Sequence, residues 1–160
     1  MMSYTFEVMT QEQAEEIAYS WHYEGDYSFY DMEADEEDLA GFLNPKERGE
    51  NIFAVWCTHN MVGFFNFNKT DIHTVDIGLG MKPNMAGNGL GLDFVQAGIM
   101  FCKEKYKPRH ITLAVATFNE RAIKVYKKVG FEAVGTFVQE TNGSRFEFLK
   151  MIYSNSDILN

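Results

Sequence analysis

The chain has 160 residues, 46% of them apolar and 15% aromatic, which suits one domain with a real core and excludes a disordered tract. A formal net charge of −9 excludes a general nucleic-acid binder. Cys57, Cys102 and the four histidines make no metal-ligand spacing, no apolar run approaches about 18 residues, and no leader-like segment opens the chain. The expectation is therefore a cytoplasmic protein with no metal and no membrane contact, its two thiols buried.

Tyr4, Phe6 and Val8 alternate as a strand does. Thr10 with Gln13 three residues on is a capping box, which starts a helix running to about Ser20. Trp21 to Asp38 is aromatic in its first half (Trp21, Tyr23, Tyr27, Phe29, Tyr30) and acidic in its second. It predicts a loop, then a short helix from Asp35 to Leu43 stopped by Asn44-Pro45. Its aromatics either cover the core or wall an acceptor substrate. Asn51 to Cys57 and Met61 to Asn68 read as a hairpin joined by Thr58-His59-Asn60. Phe64, Phe65 and Phe67 put apolar residues on both faces of the second strand, the mark of an interior position.

Val75 to Phe101 holds a buried strand (Val75 to Met81), a turn at Pro83-Asn84, and then Gly87, Gly89 and Gly91 ahead of an apolar helical pattern. A strand, a glycine loop and a helix N-terminus together make an anion cradle, because free N–H groups and the helix dipole favour a phosphate. A Walker loop is excluded, since no Lys lies between Lys82 and Lys103; a Rossmann fingerprint fails because Leu92 stands where the third glycine belongs. Two readings stay open on spacing alone: a pyrophosphate loop, or a glycine-rich connection that binds nothing. The helix ends near Tyr106, broken by Lys107-Pro108.

His110 to Ala116 is the next strand. Thr117 with Glu120 reads as a capping box for a helix to about Lys128, with Gly130 past its end. Phe131 to Gln139 and Arg145 to Ile152 pair around Asn142-Gly143, and a loose tail follows. The fold class is α+β: a mixed sheet in which the strand–helix–strand unit from Val75 to Ala116 is parallel and right-handed. On the last helix Asn119, Ala122 and Tyr126 share one face, a small residue between two polar ones. That face fits an amide-bearing ligand, and equally an ordinary amphipathic helix.

Together, the glycine loop and this helix face resemble the GNAT N-acetyltransferase family over nearly the whole chain. The family loop Arg/Gln-x-x-Gly-x-Gly/Ala falls on Ala86 to Gly91, its preceding proline on Pro83, and its Asn…Ala…Tyr…Gly-Phe pattern on Asn119, Ala122, Tyr126, Gly130 and Phe131. Ala86 departs from the family, which has Arg or Gln there. The resemblance is to the group acting on small molecules and protein N-termini, and the acceptor is not readable from it.

The resemblance implies one domain over residues 1–153, with 154–160 a tail, and a mostly antiparallel central sheet with a parallel split strand pair, flanked by helices. It implies acetyl-CoA as donor and a primary amine of a small molecule or peptide N-terminus as acceptor. The alternative is a sensor that binds acetyl-CoA without turnover; an oxidoreductase lacks its second βαβ half. The pyrophosphate falls to Ala86, Gly87, Asn88, Gly89, Leu90 and Gly91. The pantetheine arm falls to Ile77, Gly78, Leu79 and Met81, with a bulge or a close backbone approach at Gly78 and Gly80 and the Leu79 N–H polarising the thioester carbonyl. Asn119 and Ala122 complete the cofactor side. Tyr126 is the implied acid for the leaving thiolate and Asp76 the implied base through a water; Asp76 equally reads as a structural hydrogen-bonder. A homodimer stays open, since nothing in the sequence fixes oligomeric state.

Overall fold

The computed structural model describes residues 3–85, 89–141 and 144–156. Its strands are β1 (Tyr4–Val8), β2 (Ile52–Cys57), β3 (Asn60–Lys69), β4 (Thr74–Met81), β5 (His110–Ala116), β6 (Glu132–Thr141) and β7 (Ser144–Ser154). They form one sheet in the order β1-β2-β3-β4-β5-β7-β6, antiparallel throughout except for the parallel pair β4–β5. The helices are α1 (Gln11–Ser20), α2 (Glu36–Leu43), α3 (Pro45–Arg48), α4 (Gly91–Tyr106) and α5 (Glu120–Val129), with 3-10 turns at Gly25–Tyr30 and Met32–Ala34. The expected mixed, mostly antiparallel sheet with one parallel pair is the observed one.

Local chemistry explains most boundaries. The α1 capping box closes in both directions: Gln13 N–H donates to Thr10 Oγ1 at 3.2 Å and Thr10 N–H to Gln13 Oε1 at 2.9 Å. Asn44-Pro45 does more than stop α2. Asn44 Oδ1 accepts from the N–H groups of Lys46 and Glu47, and Pro45 takes the first helical position, where its missing N–H costs nothing, so α3 begins. The hairpin loop is two residues, Thr58-His59, closed by the Cys57–Asn60 pair. The last hairpin closes at Thr141–Ser144, and the Asn142-Gly143 turn lies outside the described residues. β7 runs to Ser154, and buried Asn155 donates from Nδ2 to Pro108 O, so the fold extends past the expected start of the tail.

The expected cap of α5 is corrected. Thr117 is still tied to β7, its N–H and hydroxyl both donating to Glu147 O, so the helix cannot start there. Asn119 is the cap instead, accepting from Ala122 N–H.

Each face of the sheet carries a core. Under α4 and α5 lie Phe65, Phe67, Val75, Ile77, Phe94, Leu113 and Met151; under α1 and α2 lie Ile17, Trp21, Phe42, Ala54 and Met61. Phe65 and Phe94 meet at 4.8 Å between ring centroids, and burying each ring contributes about 2–3 kcal/mol. α4 approaches β3 closely because Gly98 lies beneath the Phe65 ring, where a Cβ would collide with it.

Candidate active site

The sheet splits at its centre. β4 and β5 pair only over Thr74–Asp76 and His110–Thr112, after which the strands diverge. The direction of their backbone groups follows from alternation. Lys82 N–H bonds Val62 O on the β3 side, while His73 O accepts from Arg109 and His110 on the β5 side. Odd residues of β4 therefore face β5, and from Leu79 onward they face an opening. Thr117 N–H points to β7, so the backbone of Ala114 and Ala116 faces the same opening from β5. Between the strands lies a cavity of about 810 Å³.

No bulge opens β4, contrary to expectation. Its register with β3 runs unshifted from Lys69–Val75 to Gly63–Met81. Gly80 has a packing reason: the Phe64 ring lies across it, 2.5 Å from where a Cβ would stand. The opening comes from the loss of β5 as a partner.

Ile77, Gly78, Leu79, Met81, Gly89, Gly91, Asn119, Ala122 and Tyr126 all line this one cavity, so the structure brings both sequence constellations together. Ala86, Gly87 and Asn88 lie outside the described residues. Leu90 stands at the N-cap of α4 with no side-chain cap, which leaves the first-turn N–H groups of the helix untaken by a capping side chain. Arg121 and Lys128 add cationic groups to the lining.

Tyr126 is buried, and desolvation first, then the nearby Tyr30, push its phenol well above the ordinary tyrosine range. It stays protonated at any working pH. Asp76 does not line the cavity; its Oδ1 accepts from Thr112 Oγ1 at 2.6 Å, at the last paired rung before the split. Asn119 is engaged on both sides: Oδ1 accepts from Ala122 N–H and Nδ2 donates to the Tyr30 hydroxyl, each at 3.2 Å.

The aromatic stretch after α1 crosses the split as a strap. On the β4 side the Tyr23 hydroxyl donates to Met81 O at 2.6 Å. On the far side Tyr30 meets Asn119, Phe29 packs on Phe146 at 4.4 Å and on Phe148, and Arg121 sits 4.6 Å over the Tyr27 ring. The strap thus partners backbone that the split left bare. Trp21, Tyr23, Tyr27, Phe29, Tyr30, Asp31, Asp35 and Asp38 line the cavity with it. The sequence offered their aromatic and acidic composition as a signal, but not which strand edges they would reach.

A mixed sheet split at a parallel pair, with a helix N-terminus and a buried phenol in the split, defines a narrow class of α+β ligand-binding domain. Residues 5–131 match the family model described as acetyltransferase (GNAT) family. Mycothiol acetyltransferase from Amycolatopsis mediterranei is 33% identical over 127 residues, covering 76% of this chain and 42% of that protein. The chain spans less than half the length of the curated relatives it matches. A spermidine N-acetyltransferase from Vibrio cholerae, solved in complex with CoA and spermine, shares the fold at TM-score 0.73 and 18% identity, over 98% of each chain. A GNAT-family acetyltransferase from Bacillus anthracis does so at TM-score 0.73 and 20% identity, over 96% of each. This chain belongs to the acetyltransferase (GNAT) family. Among the described residues no helix is long and apolar enough to cross a membrane.

Proposed function

We propose that the domain over residues 1–153 binds acetyl-CoA in the split and transfers its acetyl group to a primary amine. The observation that supports this best is the convergence of helix N–H groups that no side chain caps, β4 backbone beyond its last pairing with β5, and buried Tyr126 on one cavity. Its size lies within the range of small-molecule sites, and the donor set fits a diphosphate followed by an amide chain: α4 N–H groups, Arg121 and Lys128 for the anionic end, and the Leu79 backbone and Met81 N–H for the arm.

Acetyl-CoA supplies the acetyl group as an activated thioester. Leu79 N–H is the donor facing the opening that can polarise a carbonyl there. Tyr126 Oη holds a proton where the leaving sulfur needs stabilisation. A thiol has a pKa near 8.5, so a phenol raised above its usual 10 is a poor acid toward a thiolate but an effective neutral hydrogen-bond donor. Asp76, held by Thr112, would accept the amine proton through a water. Asp31, Asp35 and Asp38 beside the aromatic wall favour a cationic acceptor, whether a small amine or a peptide N-terminus.

Following free thiol while mixing acetyl-CoA with a panel of amines tests the reading. Amine-dependent thiol release is expected. The second reading, a sensor, is favoured by Ala86 in place of the family Arg or Gln; tight binding with no release for any amine would select it.

A further inference from the structure

Tyr30 stands in the split without a role in the scheme above. Asn119 cannot flip, because its Oδ1 is committed to Ala122 N–H; Nδ2 is therefore the atom that donates to the Tyr30 oxygen. With its oxygen accepting from Asn119, the Tyr30 O–H is left to donate toward the cavity that the residue lines.

Tyr126 approaches the same place. Long helical side chains lean toward the helix N-terminus and lie over the residue four positions before. For Tyr126 that residue is Ala122, whose methyl leaves room, and beyond it is Asn119 with Tyr30 attached. Burial raises both phenols, and Tyr30 adds to the rise at Tyr126, so both stay protonated.

Resting on the acetyl-transfer reading, we propose that Tyr30 and Tyr126 form a pair of phenol donors to the sulfur of the leaving thiol, Tyr30 being a catalytic residue held in place by Asn119. As the amine nitrogen bonds the acetyl carbon, the C–S bond breaks with its electron pair on sulfur. The amine proton passes to water or a carboxylate. Two neutral donors then stabilise the negative sulfur as an oxyanion hole stabilises oxygen, and neither is consumed.

Calorimetric titration with CoA, and with a CoA analogue lacking the sulfur, separates this from a packing role. The proteins are wild type, Tyr30→Phe, Tyr126→Phe and the double variant, across pH. In wild type the thiol of bound CoA should ionise roughly one pH unit below that of free CoA measured alongside. Tyr30→Phe should return part of that shift and leave analogue binding within about twofold, with kcat lowered roughly tenfold at unchanged acetyl-CoA KM. Asn119→Ser, which keeps a helix cap but removes the donor to Tyr30, should fall between. The pair is refuted if Tyr30→Phe leaves the thiol ionisation at the wild-type value, or weakens the sulfur-free analogue as much as CoA. Absence of CoA binding by the wild type would instead overturn the acetyl-CoA reading, and the pair with it.

Discussion

Tyr126 and Asp76 sit in opposite settings, and their substitutions should behave differently. Tyr126 is buried against Phe131 and lines the cavity, so Tyr126→Phe removes one hydroxyl and little packing. Steady-state kinetics should show kcat lower by about 10–100-fold with acetyl-CoA binding preserved; full activity would end its assignment as donor. Asp76 hangs from Thr112 at the closed end of the split. A base matters most where the amine is protonated, so Asp76→Asn should lose rate chiefly at low pH, and an unaltered pH–rate profile would leave it a structural carboxylate. Burial also raises the phenol of Tyr23, with Asp31 adding to it, as it raises Tyr126. Phenols raised in the folded chain keep their protons while the unfolded chain ionises, so their contribution is intact below pH ~10 and is lost as pH climbs through the folded values. Urea midpoints should thus fall from about pH 9 to about pH 11, less steeply in Tyr126→Phe than in wild type.

Elements defined by local chemistry were legible in the sequence, and elements defined by distant partners were not. The Thr10–Gln13 box, the Lys107 stop and Gly130 act within a turn of the chain, and the structure has each where the pattern placed it. The Thr117 box failed although its pattern was as good, because Glu147, thirty residues away, claims Thr117 first. The split has the same character. Glycines in β4 suggested a bulge or a close approach, and Gly80 is a close approach, but the opening depends on where β5 leaves β4, which no local pattern encodes. The strap was recognisable as aromatic and acidic; that Tyr23 would reach Met81 and Tyr30 reach Asn119 was not. Helix α4 offers a sharp test of the packing that sets this geometry. Gly98→Ala would push its methyl into the fully buried Phe65 ring, which has the Phe94 and Phe67 rings around it and little room to yield. Overpacking of this kind should cost about 2–3 kcal/mol in chemical denaturation, more than the ~1 kcal/mol that Ala normally gains over Gly in a helix. A stabilised variant would mean that α4 can slide on the sheet.

At the scale of the molecule the split makes two half-sheets, β1–β4 and β5–β7–β6, joined by three backbone pairings, by helices and by the strap. Each half supplies part of the cavity wall: Leu79 and Met81 from one, Ala114, Val115 and Tyr126 from the other. A ligand lying in the split would brace both. At a hundred times its Kd, CoA should add about 2.7 kcal/mol of stability, which for a domain of this size is roughly 5–10 °C in Tm. The distribution of that gain is more diagnostic than its size. Amide hydrogen exchange should slow on both sides of the opening, at Leu79 and Met81 in β4 and at Ala114 and Ala116 in β5, and also in the first turn of α4. The strap residues 23–30 should gain protection less, because their tyrosines already hold the β4 edge and the start of α5 without ligand. Protection confined to α4 and its loop would mean that the anion cradle is occupied while the split is not, and the arm would have to lie elsewhere.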